Sequence, residues 1–141
     1  MVVTQGDIFF VDFNPSIGHE QRNKRPAIAL SHDLVARFGG LTIVAPISTT
    51  KRDYPTYHSL RSTRVIKGKV MLDQTIALDL KARGVSDIEE SIKKEELKEI
   101  IDKYKLLFDF AYPFFFVIFI VFFIFVYISL YFFVFFYLTY L

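Results

Sequence analysis

Cysteine and tryptophan are both absent from the 141 residues. Without cysteine there can be no disulfide, no thiolate metal ligand and no cysteine nucleophile. Charge is missing from a whole region as well: the 32 residues from Phe110 to Leu141 contain no Asp, Glu, Lys or Arg. All 17 Lys/Arg and all 15 Asp/Glu therefore lie in residues 1–109, a density normal for a water-facing surface. No signal peptide is expected, because Met1–Gly6 has no basic stretch and Asp12 interrupts the apolar run Ile8–Phe13. No Gly-rich phosphate loop is present, and His32 and His58 stand apart without metal-ligand spacing. The expected organisation is a cytoplasmic domain over residues 1–109, large enough for one core, and a distinct hydrophobic tail over 110–141.

The charges that are present are unevenly placed. Through Lys69 there are ten Lys/Arg against five Asp/Glu, a balance of +5, and the remainder sums to −3. A basic N-terminal half suits a phosphate-bearing partner, although a mildly basic surface needs no partner at all. Asp7–Phe13 reads as a strand of aromatic and β-branched residues ended by Asn14-Pro15. Further strands are expected at Pro26–Ser31, Leu41–Ile47, Tyr57–Leu60 and Lys69–Gln74, with Thr75–Leu80 continuing the last. A helical turn over His32–Arg37 closes at Gly39-Gly40. From Ser91 to Phe108 the apolar spacing turns helical, capped by either Ser86 or Ser91. Glu89/Lys93, Glu90/Lys94 and Glu99/Lys103 are i,i+4 pairs, each worth about 0.2–0.5 kcal/mol on a helix. The fold class is mainly β with helices (α+β): a small, curled, largely antiparallel sheet or partly open barrel with a C-terminal helix.

The segment Asn14–Arg25 is long for a loop between neighbouring strands, and it gathers His19, Glu20 and Arg25 beside Gly18. RNA cleavage without a metal requires a base for the 2′-OH, cationic donors for the phosphate and an acid for the leaving 5′-oxygen. Arg25 has the planar, permanently charged fork that grips two phosphate oxygens. Ser48, ending the third strand, offers a hydroxyl donor. By itself a Glu near an Arg is an ordinary surface pair worth under about 1 kcal/mol.

The order of motifs adds weight. Gly6-Asp7-Ile8-Phe9-Phe10-Val11-Asp12-Phe13-Asn14-Pro15, then Gly18-His19-Glu20-Gln21, then Lys24-Arg25-Pro26-Ala27 resembles the opening of MazF/PemK-type toxin endoribonucleases. Val44–Thr49, Tyr54-Pro55, Leu72–Gln74, Leu80–Gly84 and the stretch around Glu95–Ile100 follow in that family's order. The resemblance covers about Val3 to Leu107. It implies an SH3-like or CcdB-like barrel acting as a homodimer. It implies sequence-selective, metal-independent cleavage of single-stranded RNA or mRNA, leaving 2′,3′-cyclic phosphate and 5′-OH ends, with no cofactor. It also implies a cognate antitoxin whose acidic, flexible tail occupies the RNA groove. Arg25 matches the family's catalytic arginine, Ser48 its catalytic Ser/Thr and Glu20 a catalytic-loop carboxylate, with His19 a further candidate for proton transfer. Gln21, Lys24, Thr49, Lys51, Asp73 and Gln74 are the candidate RNA contacts. Arg52-Asp53 departs from the Lys-Gly that often precedes Tyr-Pro, and adds a carboxylate near the groove. Arg83 is read as a loop or dimer anchor and Gly84 as a turn residue.

The tail from Tyr112 to Leu141 is 30 residues interrupted only by Pro113, Ser129, Thr139 and five tyrosines, ample for a bilayer-spanning helix. A membrane anchor is one reading. The other is a frameshift-like extension, since 11 of the 30 are Phe, and Phe, Tyr, Ile and Leu can all be written with A/T-only codons. Two alternatives to the ribonuclease stand beside it: a non-catalytic, CcdB-like gyrase-inhibiting or binding module, and an inactive remnant.

Overall fold

Alternating aromatic and β-branched side chains make Asp7–Asp12 a strand (β1), with Ile8, Phe9 and Val11 buried. The structure, a computed structural model, describes residues 3–108, 121–130 and 135–137. After β1 come β2 (Lys24–Ala29), helix α1 (Asp33–Gly39), β3 (Thr42–Ser48), β4 (Tyr57–Ser59) and β5 (Lys69–Met71). A 3-10 turn (Leu72–Gln74), β6 (Ile76–Leu78), β7 (Glu90–Ser91) and helix α2 (Lys94–Lys105) follow. Two units divide the chain, Met1–Leu107 and Phe108–Leu141.

All strand pairs are antiparallel, in the order β4-β5-β3-β2-β1-β7, with β6 also on β3. Strand β3 changes partner along one edge: Thr42–Val44 pair with β6, and Ile47–Ser48 with β5. Pro46, which has no N–H to donate, lies where neither partner needs one. The change of partner curls the sheet as expected. Each face covers its own core. Ile8, Ile28, Ala45, Ile47 and Val70 pack with Ile92 and Ile100, and Leu97, Ile101 and Tyr104 of α2 close over them. Phe9, Val11, Phe13, Ala27, Ala29 and Val44 pack on the opposite face beneath Leu78 and Leu80.

Helix α1 begins at Asp33, with His32 Nδ1 accepting from the Leu34 amide at 3.2 Å, and ends at Gly40 in the left-handed conformation. The start of α2 differs from the sequence reading. Neither Ser86 nor Ser91 caps it, and the helix begins at Lys94. Glu90 and Ser91 are captured by the edge of β1, where the Ser91 hydroxyl donates to Asp7 Oδ1 at 2.6 Å. The expected i,i+4 pairs give way to longer-range partners. Glu90 accepts the amides of Arg64, Val65 and Ile66 at 2.8, 3.2 and 2.6 Å. Glu99 meets Arg61, and Lys103 donates to the Tyr57 carbonyl at 2.9 Å.

The tail also departs from expectation. Among the described residues no helix is long and apolar enough to cross a membrane. Residues 121–130 are helical and exposed. The transmembrane reading of 112–141 is corrected accordingly. The boundary at Asp109 and residues 110–120, 131–134 and 138–141 lie outside the described residues.

Glu96 is the buried carboxylate that ties α2 to the sheet. It accepts from the backbone amides of Arg61 and Ser62, both at 2.8 Å, and lies 3.2 Å from buried His58 Nε2. Burial pushes its pKa up, but the bonds from Ser62, Arg61 and His58 outweigh that and hold it below the ordinary 4.5. Glu90 follows the same pattern: burial raises it, and three backbone amides with nearby Lys67 bring it below 4.5. A carboxyl group with a depressed folded pKa stabilises the fold fully above its unfolded value, and that contribution is lost as pH falls through the folded value. Thermal unfolding followed by circular dichroism should therefore show a Tm that is level above about pH 5 and drops on acidification. Glu96→Gln should flatten that acid limb while lowering Tm at neutral pH. A Glu96→Gln profile parallel to wild type would refute the assignment.

Candidate functional site

The register between β1 and β2 builds the site. Val11 pairs with Arg25 and Asp12 with Lys24, so Lys24 and Arg25 belong to a strand and not to the loop in which the sequence reading put them. Asn23, at φ 64°, turns the chain into β2. The connection between the strands is braced from within. Glu20 Oε2 accepts the Ile17 amide at 2.8 Å, Arg22 Nη2 donates to the Gly18 carbonyl at 2.8 Å, and Gly18 takes φ 62°. Arg83 reaches across to the Asp12 carbonyl and, at 2.9 Å, to that of Asn14, so it anchors this loop.

An open cavity of about 500 Å³ lies against the loop. His19, Glu20 and Gln21 line it from the loop, and Asp73, Gln74, Thr75 and Ile76 from the turn before and into β6. Phe13 and Pro15 add apolar surface. Five of the ten candidate residues thus meet at one place although more than 50 positions separate the two segments. Arg25 stands just behind them. Its Nη1 donates to the Gln21 side-chain oxygen and its Nε to the Arg22 carbonyl at 3.0 Å, which fixes the plane of the guanidinium. Its Nη2 has no hydrogen-bond partner among the described residues, which leaves donors for an anion.

Ser48 does not line the cavity. The β2–β3 ladder ends with Ala27 paired to Pro46, and Ser48 pairs with Lys69 of β5. Ser48 Oγ accepts the Thr50 amide at 3.3 Å. Lys24, Thr49 and Lys51 are exposed and line no part of the cavity. Asp53, the departure noted in the sequence, pairs with Lys69 Nζ at 3.1 Å, and the same ammonium donates to the Arg52 carbonyl at 2.9 Å. Sequence reasoning missed Thr75, whose hydroxyl lies 3.2 Å from the Tyr104 hydroxyl of α2 and so links the cavity to that helix. No local pattern signals such a pair, since 29 positions separate the two.

The arrangement is a curled antiparallel sheet carrying a polar cleft, with a strand-borne arginine at its back and carboxylates, amides and an imidazole around its mouth. The chain belongs to the family of PemK-like, MazF-like toxins of type II toxin-antitoxin systems, whose profile matches residues 4–108. It is 31% identical over 106 residues to the endoribonuclease toxin MazF of Escherichia coli (strain K12), spanning 75% of this chain and 94% of that one. Among solved structures, MazF from Deinococcus radiodurans superposes with a TM-score of 0.70 at 27% identity, over 77% of this chain and 97% of that chain. A MazE–MazF structure from the same organism gives 0.65 at 27% identity, over 77% and 96%.

One glycine bears on Ser48 directly. Gly68 has φ 143°, and a Cβ built there would lie 2.7 Å from the Ser48 carbonyl oxygen. Both the backbone conformation and the contact oppose any side chain. Gly68→Ala should lower stability by about 1–3 kcal/mol in urea unfolding, and an unchanged midpoint would show that β3 and β5 yield there freely.

Proposed function

We propose that this chain is the toxin of a type II toxin–antitoxin pair and an endoribonuclease that cleaves single-stranded RNA, mRNA included, by attack of the 2′-OH on the adjacent phosphate. The observation that carries the reading is the meeting of Glu20-Gln21 and Asp73-Gln74 at one cavity, with Arg25 hydrogen-bonded to the same loop. In this reading Glu20 or His19 takes the 2′-OH proton. The alkoxide attacks phosphorus, Arg25 and the Ser48 hydroxyl hold the phosphorane oxygens, and the 5′-oxygen leaves with a proton. The products are a 2′,3′-cyclic phosphate and a 5′-OH. No step calls for a metal or cofactor. Arg25 acts as the electrostatic clamp, since a guanidinium that keeps its charge makes a poor base. Gln21, Lys24, Thr49, Lys51, Asp73 and Gln74 contact the RNA.

The family description and the MazE–MazF structure support an antitoxin partner. The +5 balance through Lys69 suits an acidic antitoxin tail as well as RNA. The functional unit is a homodimer. The relatives' names favour the ribonuclease over a gyrase-inhibiting or non-catalytic module.

The full chain incubated with mixed-sequence single-stranded RNA in EDTA should yield cyclic-phosphate ends. Arg25→Ala should lower the rate by roughly 10²–10³-fold, as loss of a transition-state donor does, and Arg25→Lys should not restore it because the bidentate fork is gone. Intact RNA would reject the enzyme class. Wild-type rates in both Glu20→Ala and His19→Ala would reject the proton assignment alone.

A further inference from the structure

The turn before β4 carries surface that the cleavage chemistry leaves unused. Tyr54 is 48% exposed, and its ring meets that of Tyr57 edge to face at 5.2 Å and 81°. Such a pair covers only one of its four ring faces, so aromatic surface stays open to a planar ligand. The turn is rigid: the Tyr57 amide donates to the Tyr54 carbonyl at 2.9 Å, and Lys69 clamps Asp53 and the Arg52 carbonyl beside it.

The turn that carries the aromatic pair is tied to one wall of the cavity. The Leu72 amide donates to the Thr56 carbonyl at 3.2 Å, which joins this turn to the Leu72–Gln74 segment that supplies Asp73 and Gln74. Asp73 is close enough to help burial raise the Tyr57 pKa. Lys51 and Arg52 precede the turn, both exposed, and among the described residues neither side chain holds an ion pair. An open aromatic face, free cations and a rigid backbone beside a polar cavity are what a single-stranded nucleic acid needs for one stacked base and its phosphates.

We propose that Tyr54, supported by Tyr57, is a stacking platform for a base of single-stranded RNA lying outside the cleaved dinucleotide, with Lys51 and Arg52 beside its phosphates. The platform extends the proposed ribonuclease reading and rests on it. It binds any base, because stacking uses the π face and not the hydrogen-bonding edges.

The test uses the full-length chain and oligoribonucleotides centred on a cleavage site mapped with wild type. An abasic nucleotide is moved one position at a time along each flank, and kcat/KM is measured for wild type, Tyr54→Ala, Tyr54→Leu and Tyr54→Phe. At one flanking position the abasic substitution should cost wild type and Tyr54→Phe roughly tenfold, a typical value for one lost stack. There it should cost Tyr54→Ala and Tyr54→Leu nothing further, since the interaction is already gone. Tyr54→Leu keeps an apolar side chain against Tyr57, so loss of folding cannot imitate the result. Equal abasic penalties in all four proteins at every position would overturn the platform while leaving the ribonuclease intact. A wild type that cleaves no RNA would overturn both. Coupling absent for RNA but antitoxin affinity reduced by Tyr54→Ala would reassign the surface to the protein partner and overturn the platform.

Discussion

The second half of strand β2, Ala27–Ala29, is buried on both faces, and most of the domain is arranged around that fact. Ala27, Ile28 and Ala29 are each fully enclosed, Ile28 in the core beneath α2 and the two alanines in the core on the opposite face. A strand segment with no solvent face must be flanked on both edges, and β1 and β3 supply its hydrogen bonds. Its register is strongly held, because a slip of one residue would exchange Ile28 for alanine and force each core to repack. The β1–β2 register places Arg25 against Val11. The position of the arginine is thus a consequence of core packing two residues further along the strand. Only its side-chain plane is set locally, by Gln21 and the Arg22 carbonyl.

A second set of constraints comes from carboxylates bonded to backbone. Asp7 accepts from Thr4 and Ser91, Glu90 from three amides of the β4–β5 connection, and Glu96 from two amides and His58. Amides in a connecting loop would otherwise depend on water, and a charged acceptor makes the stronger bond. Glu90 and Glu96 leave the last strand and helix for the same loop, so α2 is fastened to the sheet by polar contacts as well as by Ile100. Through Tyr104 and Lys103 that helix in turn reaches Thr75 at the cavity and the Tyr57 backbone.

What was legible in the sequence follows from this division. The strands through β5 and both helices could be read, since aromatic and β-branched runs and a 3.6-residue spacing express burial locally, whereas the 3-10 turn at Leu72–Gln74 splits what the sequence presented as one strand into β5 and β6. The late start of α2 could not. Ser91 and Glu90 satisfy a local helix rule but bind partners 84 and 24–26 positions away, and tertiary capture outweighs pairs worth a few tenths of a kcal/mol. The site was legible by halves. The Glu20-Gln21 and Asp73-Gln74 segments stood out as pieces, whereas their meeting depends on how β6 returns along β3. Lys24 and Arg25 looked like loop because Pro26 seemed to open the strand. Proline is tolerated there, as the β2–β3 ladder starts only at Ala27.

The charges around the cleft divide the work expected of it. No lysine or arginine lines the cavity, which instead carries Glu20, Asp73 and the side-chain amides of Gln21 and Gln74. Two carboxylates make a poor seat for a phosphate and a good one for the amino and imino donors on base edges. On the proposed reading the phosphate goes to Arg25, whose Nη2 has no hydrogen-bond partner among the described residues. Gln21 belongs to both places, since its oxygen holds Arg25 while the residue lines the cavity. A base entering the cavity and a phosphate reaching Arg25 therefore act on one side chain. On the proposed reading, recognition of a base and placement of the clamp are coupled through that amide.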